Sequence, residues 1–120
     1  MAITKKKAEF THENCQDLIR PVRDALEVLS GKWKLAIIGS LSFGAKRFKQ
    51  ISKEVNGITD KVLSKELKDL EANQLVKREV YDTFPPTVEY TITQHGRSLE
   101  NVIDELRRWG LSHRKKIIGR

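Results

Sequence analysis

The sequence predicts a mainly helical α+β fold with one β-hairpin and a long C-terminal helix, and three observations predict it. Apolar residues recur at helical spacing through Leu70, and the pattern turns to alternation between Leu75 and Ile92. Helical spacing then returns from Leu99 to Trp109. Breaks at Ser30-Gly31, Ser42-Phe43-Gly44, Asn56-Gly57 and Pro85-Pro86 divide the run into its elements.

The first helix is expected to begin at Pro21, because proline suits a first helical turn where its missing N–H is no loss. Val22, Leu26 and Leu29 give it an apolar stripe. A short second helix follows from about Trp33 to Leu41, apolar in its middle and therefore buried. Phe48, Ile51 and Val55 mark a third helix. Asn56-Gly57 is a turn, since both residues tolerate positive φ. Thr59 then caps a fourth helix running from Asp60 to about Ala72, with Asp60 placed well for the helix dipole.

Leu75–Tyr81 and Thr87–Ile92 are rich in β-branched and aromatic residues and read as two strands. The prolines between them exclude pairing and force a projecting loop at Asp82-Thr83-Phe84-Pro85-Pro86. Thr93 is expected to cap one long final helix with the stripe Leu99, Val102, Ile103, Leu106 and Trp109. Two helices joined by a glycine-containing turn and followed by a hairpin make a winged helix-turn-helix. Its wing has two strands, and the long last helix is left free for dimerisation.

A chain of 120 residues suits one hydrophobic core. Residues 1–13, with Lys5-Lys6-Lys7, are expected to form a flexible basic arm, and 14–120 a single domain. No apolar run is long enough to cross a bilayer, and the first residues lack the apolar centre of a secretion signal, so the cytoplasm is the expected location and no membrane partner is expected. One cysteine, Cys15, excludes a disulfide framework. His12, His95 and His113 have no ligand-like spacing, so neither a metal nor another cofactor is expected. No nucleophile, base and orienting acid stand in a recognisable motif, which leaves an enzyme reading without support.

The formal charge of +7 attracts polyanions, and its distribution matters more than its size. In the fourth helix Leu63, Leu67 and Leu70 share one face, while Lys61, Ser64, Lys65 and Lys68 fall on nearly the opposite one. That outward face combines cations for phosphates with short or flexible donors for base edges, as a helix in the major groove requires. Thr59 at its N-terminal end is counted with Lys61, Ser64, Lys65 and Lys68 among the expected DNA contacts. Glu66, Asp69 and Glu71 are assigned to the flanks and the C-terminal end. The same lysines would suit an ordinary solvated helix, and it is the place after a helix-turn break and before a wing that favours double-stranded DNA. Lys46, Arg47, Lys49 and Lys53 surround the preceding helix and are expected on phosphates, together with Lys77, Arg78 and Thr83 of the wing. The tip carries Asp82 and no base, which disfavours readout by the wing. Trp33 and Trp109 read as core or interface anchors.

Two other readings use the same residues. One is a winged-helix module that binds RNA or sits in a larger assembly, against which stands the lack of interleaved exposed aromatics. The other is a regulator with a ligand pocket between the final helix and the wing domain.

Four blocks resemble the HxlR family of bacterial regulators. They are Pro21-Val22-Arg23-Asp24-Ala25-Leu26-Glu27-Val28-Leu29-Ser30-Gly31-Lys32-Trp33, Arg47-Phe48-Lys49-Gln50-Ile51, Leu63-Ser64-Lys65-Glu66-Leu67-Lys68-Asp69-Leu70-Glu71, and Pro85-Pro86-Thr87-Val88-Glu89-Tyr90-Thr91-Ile92-Thr93-Gln94-His95-Gly96. The resemblance spans Arg20 to Trp109. It implies a homodimer built from the N- and C-terminal helices, with Leu99, Val102, Ile103, Leu106 and Trp109 in the interface and paired recognition helices on an inverted-repeat operator. It also implies a small-molecule or oxidant effector. Many members carry a sensor cysteine directly before the Pro-Val pair, where this chain has Arg20 and places Cys15 five positions upstream. Thiol sensing through the family's position is therefore not expected. The family's glycine at the turn into the first strand is replaced by Gln74, with Asn73 expected to take the left-handed conformation instead.

Overall fold

The computed structural model describes residues 9–120. Lys5, Lys6 and Lys7 of the expected arm lie outside the described residues. The chain divides into two compact units, the first ending at Ser30 and the second running from Gly31 to Arg120.

The first unit holds α1 (Cys15–Val28), which begins six residues before Pro21 and runs through it. The expected start at Pro21 is thus corrected. Thr11 and Asn14 initiate the helical run earlier by a reciprocal pair of hydrogen bonds. The Thr11 N–H donates to Asn14 Oδ1 at 2.8 Å, and the Asn14 N–H donates to Thr11 Oγ1 at 3.2 Å. Pro21 cannot donate to the Asp17 carbonyl, a loss made tolerable because both residues are exposed to water.

In the second unit α2 (Lys34–Leu41), α3 (Phe48–Glu54) and α4 (Asp60–Ala72) surround one core. Ile37, Ile38, Leu41, Ile51, Leu63, Leu67 and Leu70 are fully buried at its centre. Each such side chain contributes about 1.5–3 kcal/mol by leaving water. α4 has the expected cap, with Thr59 Oγ1 accepting from the Val62 N–H at 3.2 Å. Its C-terminus closes by two hydrogen bonds, Leu75 N–H to the Leu70 carbonyl and Gln74 N–H to the Glu71 carbonyl, both 3.0 Å. This Schellman closure needs a left-handed residue, and Gln74 supplies it at φ 60°. Asn73 stays right-handed at φ −91°, which corrects the expectation.

Strands β1 (Val76–Tyr81) and β2 (Thr87–Ile92) pair antiparallel, with Val76 opposite Ile92 and Tyr81 opposite Thr87. Val76 and Ile92 enter the core, whereas Val80 and Tyr81 are exposed, so the hairpin projects as a wing. Tyr90 uses its outer edge to exchange two backbone hydrogen bonds with Lys46 (2.8 and 3.0 Å), tying the α2–α3 connection to the sheet.

The final helical region is two helices rather than the single one expected. Thr93 caps a short α5 (Gln94–Arg97), and α6 (Glu100–Ile118) follows. Between them the Ser98 N–H reaches the His95 carbonyl and the Leu99 N–H the Gly96 carbonyl, the tighter three-residue spacing that ends α5. Gly96 is required where α5 meets the start of the wing. A Cβ there would collide with the Leu75 carbonyl oxygen and the Ile92 side chain. α6 has no buried residue and packs against α2.

Candidate nucleic-acid interface

α4 divides into the two faces its sequence predicts. Leu63, Leu67 and Leu70 are buried, Lys61, Lys65 and Lys68 are exposed, and Ser64 is half-buried. Ser64 and Lys68 line a groove whose other wall is Arg78 and Tyr90 of the wing, with Glu71 at its edge. A second groove brings Arg47, Lys49 and Gln50 of α3 and its N-terminal approach against Pro86, Val88 and Glu89. Of the expected contact residues, Arg47, Lys49, Ser64, Lys68 and Arg78 line these two grooves, whereas Lys53, Lys61, Lys65 and Lys77 line neither. Lys53 is exposed on the last turn of α3.

Several expected contact groups are already engaged. Lys46 points into the α2–α3 junction, where its ammonium binds Glu54 Oε2 at 2.7 Å and also the Ser40 carbonyl oxygen. Ser40 Oγ donates to the same carboxylate oxygen at 2.6 Å. The Lys46 hydrogen bond, and after it that of Ser40, holds the Glu54 carboxyl below the usual carboxylate range. A lysine so held joins α2 to α3. Thr83 turns its hydroxyl inward to the Pro85 carbonyl (2.7 Å) and Thr87 Oγ1 (2.8 Å), which orders the wing tip. Lys77 lies 3.5 Å from Glu79 on the exposed wing.

Lys65 also has partners, on its own helix. Its ammonium is 3.1 Å from Asp69 Oδ2 and 3.4 Å from Glu66 Oε1. The hydrogen bond and then the charge of Asp69 raise the Lys65 pKa, and the same hydrogen bond lowers that of Asp69. Among the described residues Lys61 and Lys68 form no ion pair.

Sequence reasoning missed the charged link behind this face. Lys34 of α2 is 4% exposed and Glu66 of α4 is 6% exposed, and their charged atoms lie 2.9 Å apart. Lys34 also approaches Asp69 at 3.4 Å. Glu66 is therefore a buried residue facing α2 and not a flank residue. The available signal was Lys34 at the head of the apolar run Leu35–Ile38, on a helix expected to be buried, although Lys32 two residues earlier blurs it. Phe84 at the wing tip and Phe43 after α2 are almost wholly exposed, and only the loop assignment hinted at either.

On α6, Val102, Leu106 and Trp109 are exposed at 45%, 51% and 67%, while Leu99 and Ile103 are half-buried. Trp109 stacks on His113, ring centroids 4.8 Å apart and planes 9° from parallel. Among the described residues no three His, Cys, Asp or Glu side chains are grouped to hold a metal, and no helix is long and apolar enough to cross a membrane.

Comparison with known proteins bears on this architecture. Residues 28–117 match the family described as HxlR-like helix-turn-helix. The chain is similar to the HTH-type transcriptional regulator YtcD of Bacillus subtilis (strain 168), 41% identical over 98 residues, which are 82% of this chain and 78% of YtcD. It is 40% identical to YybR of the same organism over 110 residues, 92% of this chain and 84% of YybR. Among solved structures, the reduced form of the redox regulator HypR superposes with a TM-score of 0.76 at 38% identity, covering 83% of this chain and 99% of HypR. The protein is a transcriptional regulator with a winged helix-turn-helix domain, and it belongs to the HxlR-like helix-turn-helix family.

Proposed function

We propose that the protein binds double-stranded DNA sequence-specifically as a homodimer, with α4 in the major groove. The observation that carries this reading is the two-sided character of α4. Its apolar face is fully buried, and its outward face presents Lys61, Ser64, Lys65 and Lys68 beside Arg78 of the wing. Lysines and a small hydroxyl on an exposed helix next to a wing suit phosphate neutralisation and contact with base edges. Arg47, Lys49 and Lys53 are assigned to phosphates. Thr83 serves the shape of the wing tip, and Lys46 the joining of helices.

The homodimer reading rests on α6. Val102, Leu106 and Trp109 leave an apolar stripe in water along a helix of 19 residues, and a second copy of the same helix is the simplest cover for it. A two-fold dimer would place two α4 helices on an inverted repeat. The effector class carried over from HypR, which is named a redox regulator, is an oxidant. Cys15 is an exposed thiol at the first position of α1. Five residues along an α-helix amount to about 7.5 Å and about 140° of rotation, so Cys15 does not share a face with position 20. The reading therefore assigns no sensor role to Cys15.

Selection of binding sites from random duplex DNA with the purified protein tests the whole proposal. Enrichment of an inverted-repeat motif is the expected result. Recovery of no motif, or tighter binding to single strands than to any duplex, would overturn it.

A further inference from the structure

We infer that Asp69 withholds Lys65 from loosely fitting DNA, so that the third cation of α4 engages only when a fitted duplex displaces the carboxylate. This rests on the DNA-binding reading above and specifies how the same face is regulated. Lys65 is the exposed member of a chain of charges that runs back into the protein. Its ammonium lies 3.1 Å from Asp69, Asp69 lies 3.4 Å from Lys34, and Lys34 lies 2.9 Å from Glu66. The Lys65 side chain is 69% exposed, and those of Lys34 and Glu66 are 5% and 9% exposed.

Two features separate this pair from ordinary helix decoration. The lysine precedes the acid by four residues, the less favourable orientation for an i,i+4 pair, so helix stability does not explain it. The carboxylates also keep a partner when Lys65 leaves. Asp69 retains Lys34, and Glu66 retains Lys34 at closer range. Exchange of Lys65 between Asp69 and a DNA acceptor therefore strands no buried charge. Only an exposed pair has to open, and such a pair is worth at most a factor of about five in an equilibrium. For Lys65 to stay on Asp69, its contacts to random DNA must fall short of that factor, which the variants below test. A well-placed phosphate or base edge exceeds it. Lys61 and Lys68 have no such carboxylate holding them back.

The consequence is a pattern across variants that a fixed surface lysine would not give. Lys65→Ala should weaken operator binding several-fold and leave random-duplex binding nearly unchanged. Asp69→Asn should tighten both by up to about fivefold. For random duplex alone, it should also steepen the dependence of log affinity on log salt by about 0.9, because one more phosphate is neutralised. Adding Lys65→Ala to Asp69→Asn should cancel that gain. Glu105→Gln, an equal charge change at an exposed position on α6, controls for net charge and should leave the slope alone.

The measurement is titration of the full chain and these variants against operator and random duplex at several salt concentrations. Equal weakening of both duplexes by Lys65→Ala would overturn the inference, as would a random-duplex slope unmoved by Asp69→Asn or moved equally by Glu105→Gln. Wild-type protein with no preference for any duplex would instead defeat the DNA-binding reading itself.

Discussion

Lys34 Nζ and Glu66 Oε2 meet at 2.9 Å inside the protein, joining α2 to the back of α4. Neither charge is left to water, and Asp69 offers Lys34 a second, more distant carboxylate. The pair fixes the helix that carries the exposed lysines against the helix beneath it. Removing one partner leaves an uncompensated buried charge, which costs about 3–5 kcal/mol. Glu66→Ala should fall near the low end of that range, because Asp69 remains. Replacing both with apolar residues, Lys34→Met with Glu66→Leu, should restore most of the loss. Denaturant unfolding of the single and double variants measures this, and a Glu66→Ala protein as stable as the wild type would contradict it.

Gln74 and Gly96 should respond in opposite directions to substitution at neighbouring turns. Gln74 is held at φ 60°, where a side chain costs about 1–2 kcal/mol that glycine avoids. Gln74→Gly should therefore stabilise the protein by up to about 1 kcal/mol after the loss to the unfolded chain's freedom. Gly96→Ala drives a methyl group into the Leu75 carbonyl and the Ile92 side chain and should destabilise by about 1–3 kcal/mol or more. Thermal unfolding of both variants is the check. A stabilised Gly96→Ala would show that α5 sits less closely on the sheet.

Much of this fold is legible where the signal is local. The bounds of α4 and β2 follow from a threonine cap, the Asn56-Gly57 turn and the paired prolines. What the sequence conceals depends on partners distant along the chain. Glu66 reads as part of a polar flank until Lys34, 32 residues earlier, is seen to face it. Lys46 counts among the cations around α3, yet Glu54 and Ser40 draw it inward. Pro21 suggests a helix start because proline is favoured there, but the Thr11–Asn14 turn begins the helix first. The break between α5 and α6 involves no glycine or proline at Ser98-Leu99, so helical periodicity runs across it unmarked.

The Glu54 carboxyl should give the fold an acid-side dependence. Its pKa is lowered in the folded state by Lys46 and Ser40, so its contribution is present above the ordinary carboxylate range. That contribution is lost as pH falls through the lowered value. Glu54→Gln should therefore melt lower than the wild type near pH 7, with the difference shrinking towards about pH 3. Melting curves across that interval test the sign. A difference that grows on acidification would contradict it.

Leu106 and Cys15 separate assembly from sensing. Leu106→Asp places a charge in the exposed stripe of α6 and should convert a dimer at micromolar concentration into a monomer by sedimentation. A wild-type monomer would refute the dimer. Cys15→Ser should keep DNA binding and regulation in cells, and loss of an oxidant response in that variant alone would restore the thiol to a sensing role.

If α4 reads sequence while α3 supplies affinity, as proposed, Lys61 and Lys53 separate the two roles most directly. Lys61 is exposed in the first turn of α4, near where a recognition helix meets base edges, and Lys53 is exposed on α3. A base contact discriminates by about 1–3 kcal/mol, whereas a phosphate contact weakens all sequences alike and reduces the salt slope by about one. The decisive measurement is titration of Lys61→Ala and Lys53→Ala against operator and random duplex at several salt concentrations. Lys61→Ala should narrow the ratio between the two affinities, and Lys53→Ala should lower both together and flatten their salt dependence. An unchanged ratio for Lys61→Ala beside a collapsed one for Lys53→Ala would contradict the assignment of α4 as the reading helix.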